Sequence, residues 1–184
     1  MAYGDLTTLA NVKAWLGMSQ DADNMVIARL ITSASLMLGQ YANRNFMSAS
    51  YTINVDGTGG AVLMLRQSPV TAVASVSING LALPVSTGPG VAGYRFTQSR
   101  VIVDGYRFTK GNANIVVAYT GGFTTVPPDL EQAAIELIAL RYKERDRIGH
   151  TSKTLAGETV GFFIGDMPAS VKTLMAQYRT VATM

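Results

Sequence analysis

His150 is the only histidine in the chain, and this limits the chemistry the sequence can support. A Ser-His-Asp triad or a multi-histidine metal site would have to be built around that one imidazole. It follows a helix stop at Gly149 in a polar stretch, where an exposed histidine is the expectation rather than a catalytic one. Asp21-Ala22-Asp23-Asn24 begins like a calcium loop. Met25 and Val26 then stand where a ligand and the essential glycine belong, so helix capping is the better reading. Gly149 to Thr154 shares the end of a phosphate-binding loop but lacks the glycine before the lysine and follows a helix instead of a strand. Gly57 to Gly60 sits in a hairpin turn, without the following helix a dinucleotide site needs. Glu131, Glu136, Glu144, Asp146, Glu158 and Asp166 could act as acid and base, but nothing in their spacing gathers two of them into a pocket. The chain has no cysteine, which excludes disulfides and thiolate metal sites. No catalytic residue, cofactor or metal ligand is assigned, and the expectation is a protein that is not an enzyme.

Interaction chemistry is better supplied. The arm from Thr151 to Ile164 carries only Lys153 and Glu158 as charges, with Leu155, Val160, Phe162, Phe163 and Ile164 as apolar anchors. Such an arm can add a strand to an adjacent surface or pack into it. The alternative is that Val160 to Ile164 completes the subunit's own sheet. Arg95, Arg100, Arg107 and Lys110 interleave with Tyr94, Phe96, Tyr106 and Phe108. That alternation could form a nucleic-acid face, but an ordinary strand, solvated on one side and packed on the other, is favoured.

The elements that would position these groups follow from the hydrophobic period. Asp5, Thr7 and Thr8 offer N-caps for a short helix ending at Leu16 before Gly17. Asp21 or Asp23 opens a longer one, with Ile27, Leu30, Ile31, Ala34, Leu38 and Tyr41 on one face and a second patch of Met25, Val26 and Leu36. A helix apolar on more than one face is central in a core or used against a neighbour. From Tyr51 to Tyr119 the period alternates, giving six or seven short strands. Among them are an Asn79-Gly80 hairpin returning through Leu81–Val85, a second hairpin of Val101–Val103 with Tyr106–Phe108, and a closing strand Ile115–Tyr119. Pro127-Pro128-Asp129 starts a third helix with Leu130, Ala134, Leu137 and Ile138 on its apolar face. Arg141 falls on the same stripe and must find a carboxylate, a carbonyl or a subunit boundary. Pro168 opens a last helix with Val171, Leu174, Met175 and Tyr178 on one stripe.

The fold class is therefore α+β: a bundle of about four helices, an antiparallel β-module inserted between helices 2 and 3, and an extended C-terminal arm. Charged residues are 15% of 184, well below the usual quarter or so. A chain this poor in charge often hides surface against other chains. A net charge of +3 permits nucleic-acid contact without demanding it. The amino end lacks a basic segment followed by an apolar one, and no run approaches the roughly 18 apolar residues of a membrane span, so the chain reads as soluble and untargeted.

Three stretches carry a family resemblance. Leu6 to Gly17 and Asp21 to Phe46 form an opening helix pair closed by Tyr41-Ala-Asn-Arg44-Asn-Phe46. Ser68-Pro69-Val70 runs to Val76-Ser-Ile78-Asn79-Gly80. Tyr119-Thr-Gly-Gly122 and Val126-Pro-Pro-Asp-Leu130 precede Arg141-Tyr-Lys143-Glu-Arg145. In this order they resemble the head–tail connector (adaptor) proteins of tailed bacteriophages, over nearly the whole chain and with a β-module larger than minimal members carry.

The resemblance implies one adaptor domain over 1–184: helix pair 1–47, β-module 48–122, third helix 123–150, arm and last helix 151–184. It implies a ring of roughly a dozen copies that close by rotation. The ring would be assembled in the host cytoplasm and dock beneath the portal protein at the virion's head–tail junction after genome packaging. It would extend the DNA channel and present a surface to the next neck or tail protein, with no membrane and no cofactor involved. Leu155, Phe162, Phe163, Met167, Leu174 and Tyr178 would reach the portal. Arg141, Glu144 and Arg145 would pair across subunits, and Lys110 or Lys153 would touch passing DNA transiently. The alternatives are another neck or tail-completion protein, a small DNA-binding protein, or an unrecognised enzyme.

Overall fold

The computed structural model describes residues 4–145, 152–155, 158–161 and 167–179. The fold is α+β, four helices with antiparallel sheets between the second and third, in two compact units.

The helical unit runs to Asn43 and resumes at Val126. Helix α1 (Leu9–Leu16) is capped by Thr8, whose hydroxyl accepts from Asn11 N, and ends at Gly17 in the left-handed region. Asp5 and Thr7, expected as caps, are instead buried ties. Thr7 donates to Glu131 at 2.9 Å, and Asp5 accepts from Thr32 at 3.0 Å. Their hydroxyl and carboxylate are satisfied by later helices, so the local cap is left to Thr8. Helix α2 (Asn24–Ala42) buries Ile27, Ile31, Ala34, Ser35, Leu38 and Ala42. Tyr41 lies at the edge of that stripe, 38% exposed.

Helix α3 (Pro128–Glu144) is the central element, packed by α1, α2 and α4 (Ala169–Tyr178). Besides the expected stripe it buries Ala133, Ile135 and Ala139, a wider buried face than the stripe alone, in keeping with three neighbouring helices. For α2 the sequence left two readings, central in the core or used against a neighbour, and the exposure of Met25, Val26 and Leu36 rules out the first.

The β unit spans Arg44 to Thr125. One sheet holds β1 (Ala49–Gly57), β7 (Gly111–Gly121), β3 (Val70–Ile78) and β4 (Leu81–Ala82), in that order. A second holds β2 (Val62–Met64), β6 (Arg100–Asp104) and β5 (Gly93–Phe96). Val76, Ile78, Leu83, Tyr94, Val101, Val103, Phe108, Ile115, Val117 and Tyr119 fill one core between them. The Asn79-Gly80 turn forms as expected, both residues at positive φ.

Three expectations are corrected. The return strand β4 is two residues, because Pro84 follows and Val85 bridges to Tyr94 instead. Strand β6 pairs with β2 and β5, not with Tyr106–Phe108. Phe108 exchanges backbone hydrogen bonds with the Gly59-Gly60 turn, at 2.6 and 2.8 Å, and its ring enters the core. The expected closing strand is the centre of the larger sheet, paired on both sides. In the C-terminal arm, β8 (Ser152–Leu155) and β9 (Glu158–Gly161) pair antiparallel as a two-stranded sheet, separate from the other two among the described residues.

Candidate assembly surfaces

Among the described residues of the helical unit, the large apolar side chains left uncovered lie on α1 and α2. Met25 is 82% exposed, Leu36 63% and Trp15 56%. By length and composition α2 is apolar enough to cross a membrane, at 19 residues and mean hydropathy 1.2, yet its own unit buries only a third of that stretch. Arg29, Ser33 and Gln40 interrupt the outer face. They line, with Leu36 and Met37, an open groove of about 720 Å3 along the helix. An apolar face edged by scattered polar groups is the composition of a protein contact.

Arg141 donates to Met37 Sδ at 2.8 Å. A thioether is a weak acceptor, and among the described residues no carboxylate pairs with this guanidinium. Arg145 is anchored within the subunit: it lies 3.9 Å over the Tyr142 ring and 3.5 Å from Asp23. Tyr142 donates a short hydrogen bond to the same Asp23, and that bond to a carboxylate pushes the phenol above the ordinary tyrosine value. Glu144 is half-buried beside them. Asp23 stands at the N-cap position of α2 but makes no capping hydrogen bond, so the capping expected of this segment is not made. The Asp21 carboxylate instead accepts from the Lys13 and Asn24 side chains at 2.7 and 3.0 Å, and the Lys13 bond holds it below the usual aspartate range.

In the C-terminal region Met167 is 2% exposed. It is part of the buried core and leaves little surface for another chain. Leu174 is half-buried, and Tyr178 donates to both Asp129 oxygens at 2.7 and 2.8 Å, tying the end of α4 to the start of α3. Phe162, Phe163 and His150, and the side chains of Lys153 and Leu155, lie outside the described residues.

The basic and aromatic residues of the β unit divide as an ordinary strand would divide them. Tyr94 and Phe108 are in the core, and Arg95 pairs with Asp104 at 2.8 Å on the adjacent strand, which raises the guanidinium's pKa. Two of the four aromatics are therefore withdrawn from any stacking platform. Arg100, Arg107 and Lys110 remain exposed. Lys110 sits at the sheet's loop end with its stem alongside Gly59.

That loop end is fastened by a cluster the sequence reading missed. Asn114 accepts from Gly57 N at 2.9 Å and donates to Asn79 Oδ1 at 3.0 Å and Thr109 O at 2.9 Å. Asn79 in turn donates to Thr109 Oγ1 at 2.9 Å, and Asp56 accepts from Ala113 N at 2.6 Å. The usable signal was composition: a polar run, Gly111-Asn-Ala-Asn114, opening an otherwise apolar strand.

The Tyr41-x-x-Arg44-x-Phe46 element also has a physical account. The Arg44 guanidinium lies 5.4 Å from the Phe46 ring centre and 5.5 Å from that of Phe123, between two aromatic faces. Among the described residues no group of three or more His, Asp or Glu side chains could hold a metal ion.

Comparison with solved structures finds this fold in gene transfer agent (GTA) particles. A chain from the neck of an empty GTA particle, computed with C6 symmetry, superposes with a TM-score of 0.63 at 19% identity, covering 100% of this chain and 94% of that one. A chain from the neck of the native particle, computed with C12 symmetry, gives 0.59 at 19% identity, covering 100% and 98%. One from the virion of the native particle gives 0.59 at 20%, covering 100% and 94%. At these identities the likeness speaks for the fold. No curated protein matches the sequence. The family profile described as head completion protein matches residues 5–181, so the chain belongs to the head completion protein family, a structural family and not an enzyme.

Proposed function

We propose that this protein forms a ring at the head–tail junction of a phage-like particle, docks beneath the portal after DNA packaging, extends the DNA channel and joins the head to the neck or tail. The observation that carries the reading is the family match over residues 5–181. The full-length likeness to chains of GTA necks solved with twelvefold and sixfold symmetry supports it. The exposed face of α2 and Arg141, whose guanidinium rests on Met37, provide surface for neighbouring copies, with Glu144 and Arg145 beside them. The C-terminal region, through Phe162, Phe163, Leu174 and Tyr178, is the part that reaches the portal. Lys110 at the exposed loop end, and Lys153 in the arm, meet DNA only in passing.

The test is the mass of the purified protein alone and after mixing with portal-bearing, DNA-filled capsids. The expected result is a stoichiometric ring on those capsids that is lost when 151–184 is deleted. A protein that ignores capsids and binds duplex DNA with a steep salt dependence would replace this reading with a DNA-binding one.

A further inference from the structure

The two sheets of the β unit expose four edges, and three are blunted. Strand β4 is two residues long and β2 three, too short to template another strand. Strand β5 is covered by the chain before it, through Tyr94 N to Pro84 O at 2.9 Å and Ser86 N to Tyr94 O at 2.9 Å. Strand β1 is different. It is nine residues long and pairs only with β7. Among the described residues, no backbone-to-backbone hydrogen bond outside that ladder involves Ala49–Gly57.

None of the usual protections is present along most of β1. It has no proline and no lysine, and its one irregularity falls at the far end, between Val55 and Gly57. Tyr51, Ile53 and Val55 pack on the core but are only half covered, as margin residues of an unfinished sheet are. An antiparallel pair uses alternate backbone groups of each strand, so half of those on a nine-residue edge point away from β7.

The chain also holds a donor that lacks a sheet. Strands β8 and β9 are four residues each and, among the described residues, pair only with each other. A two-stranded hairpin standing alone is marginal in water, and a third strand is what ordinarily stabilises it. Its segments, Ser-Lys-Thr-Leu and Glu-Thr-Val-Gly, carry β-branched residues suited to a ladder.

We propose that the β8–β9 hairpin of one subunit adds to the free edge of β1 in the neighbouring copy, making a six-stranded sheet across each subunit boundary. This rests on the ring reading given above. Two β1 edges pairing with each other would make an isologous contact that closes as a dimer. A donor hairpin and a separate acceptor edge make a heterologous contact, in which every subunit gives once and receives once around a ring. Main-chain hydrogen bonds supply the attachment, as in other strand-addition interfaces.

The absence of native cysteine makes the test direct. Acceptor variants Ser50→Cys, Thr52→Cys and Asn54→Cys, each at an exposed β1 position, are mixed in turn with donor variants Thr154→Cys or Thr159→Cys. Rings are assembled, oxidised and run on a non-reducing denaturing gel. The expected product is a band at twice the 19.6 kDa subunit mass containing one copy of each variant. In wild-type rings, alternate β1 amides should exchange with deuterium more slowly than in free subunits. Rings of normal mass with no mixed band for any pair, and with β1 amides exchanging as in the free subunit, overturn the hairpin exchange while leaving the ring reading intact. Protection of β1 that appears only when capsids are added, without a mixed band, assigns the edge to another protein and equally overturns it. Failure to form rings on capsids overturns both.

Discussion

Replacing Asn114 by alanine should loosen the whole loop end of the β unit. Its amide joins three separate segments: the end of β1 through Gly57 N, the β3–β4 turn through Asn79, and the loop before β7 through Thr109 O. A net hydrogen bond is worth about 0.5–1.5 kcal/mol, and a buried partner left unsatisfied costs more. The Asn79 and Thr109 ends are exposed, so water replaces part of what those two bonds lose. The Gly57 amide is part-buried and cannot be rescued so readily. Three bonds discounted in this way come to about 2 kcal/mol. For a unit of roughly 60–100 residues, each kcal/mol shifts the melting temperature by roughly 4–8 °C, so the β unit should melt about 8–16 °C lower. Near-ultraviolet circular dichroism reports its tyrosines, and calorimetry would show whether the two units melt separately. Asn114→Asp keeps the Gly57 acceptor and should recover part of the loss. A shift below about 2 °C for Asn114→Ala would show that water replaces all three bonds, and the fastening role would be refuted.

Gly57→Ala should damage the same region by a different route. A Cβ there would lie 1.7 Å from Thr109 O, so the end of β1 must move away from the loop, and a loss of about 1–3 kcal/mol or more in urea unfolding is expected. Leu36→Asp should leave the subunit's melting temperature within a few degrees, because the side chain is 63% exposed, yet abolish ring formation measured by native mass. Rings that form normally from the Leu36→Asp variant would remove the outer face of α2 from the subunit boundary. Tyr142→Phe should flatten the alkaline limb of the stability curve. The bond to Asp23 raises the phenol's pKa in the folded state, so its contribution is complete below the ordinary tyrosine value and lost as pH climbs past it. Equal slopes for wild type and variant above pH ~10 would show that this bond does not couple to folding.

The features legible in the sequence are those fixed within a few residues of themselves. Thr8 and Gly17 bound α1, Pro128 opens α3, and Asn79-Gly80 turns the hairpin, each through a local backbone requirement that the residue type meets. Strand partners are different, because pairing is decided by groups far apart in the chain. Asp104-Gly105 has the composition of a hairpin turn, and Gly105 does sit at positive φ. The chain after it nevertheless leaves the sheet, because Phe108 gains more from the core and the Gly59-Gly60 turn than from pairing with β6. The burial of α3 was partly hidden in Ala133 and Ala139, whose small side chains mark no face yet allow the neighbouring helices to approach closely.

The assembly surface follows the same division. Met25, Val26 and Leu36 were visible as a second apolar patch from helical spacing alone, and they are the exposed ones. The free edge of β1 could not be seen that way. Its residues alternate like those of any half-buried strand, and only the strand pairing reveals that, among the described residues, no strand lies on its outer side. Among the described residues no cluster of metal-ligating side chains marks a site in this structural protein. The surfaces offered for assembly are a helix face with Met25, Val26 and Leu36 exposed, an arginine resting on a thioether, and a sheet edge with no second strand among the described residues. Exposed apolar surface and an open sheet edge are hazards for an isolated subunit, and contact with another chain in the proposed ring would remove both.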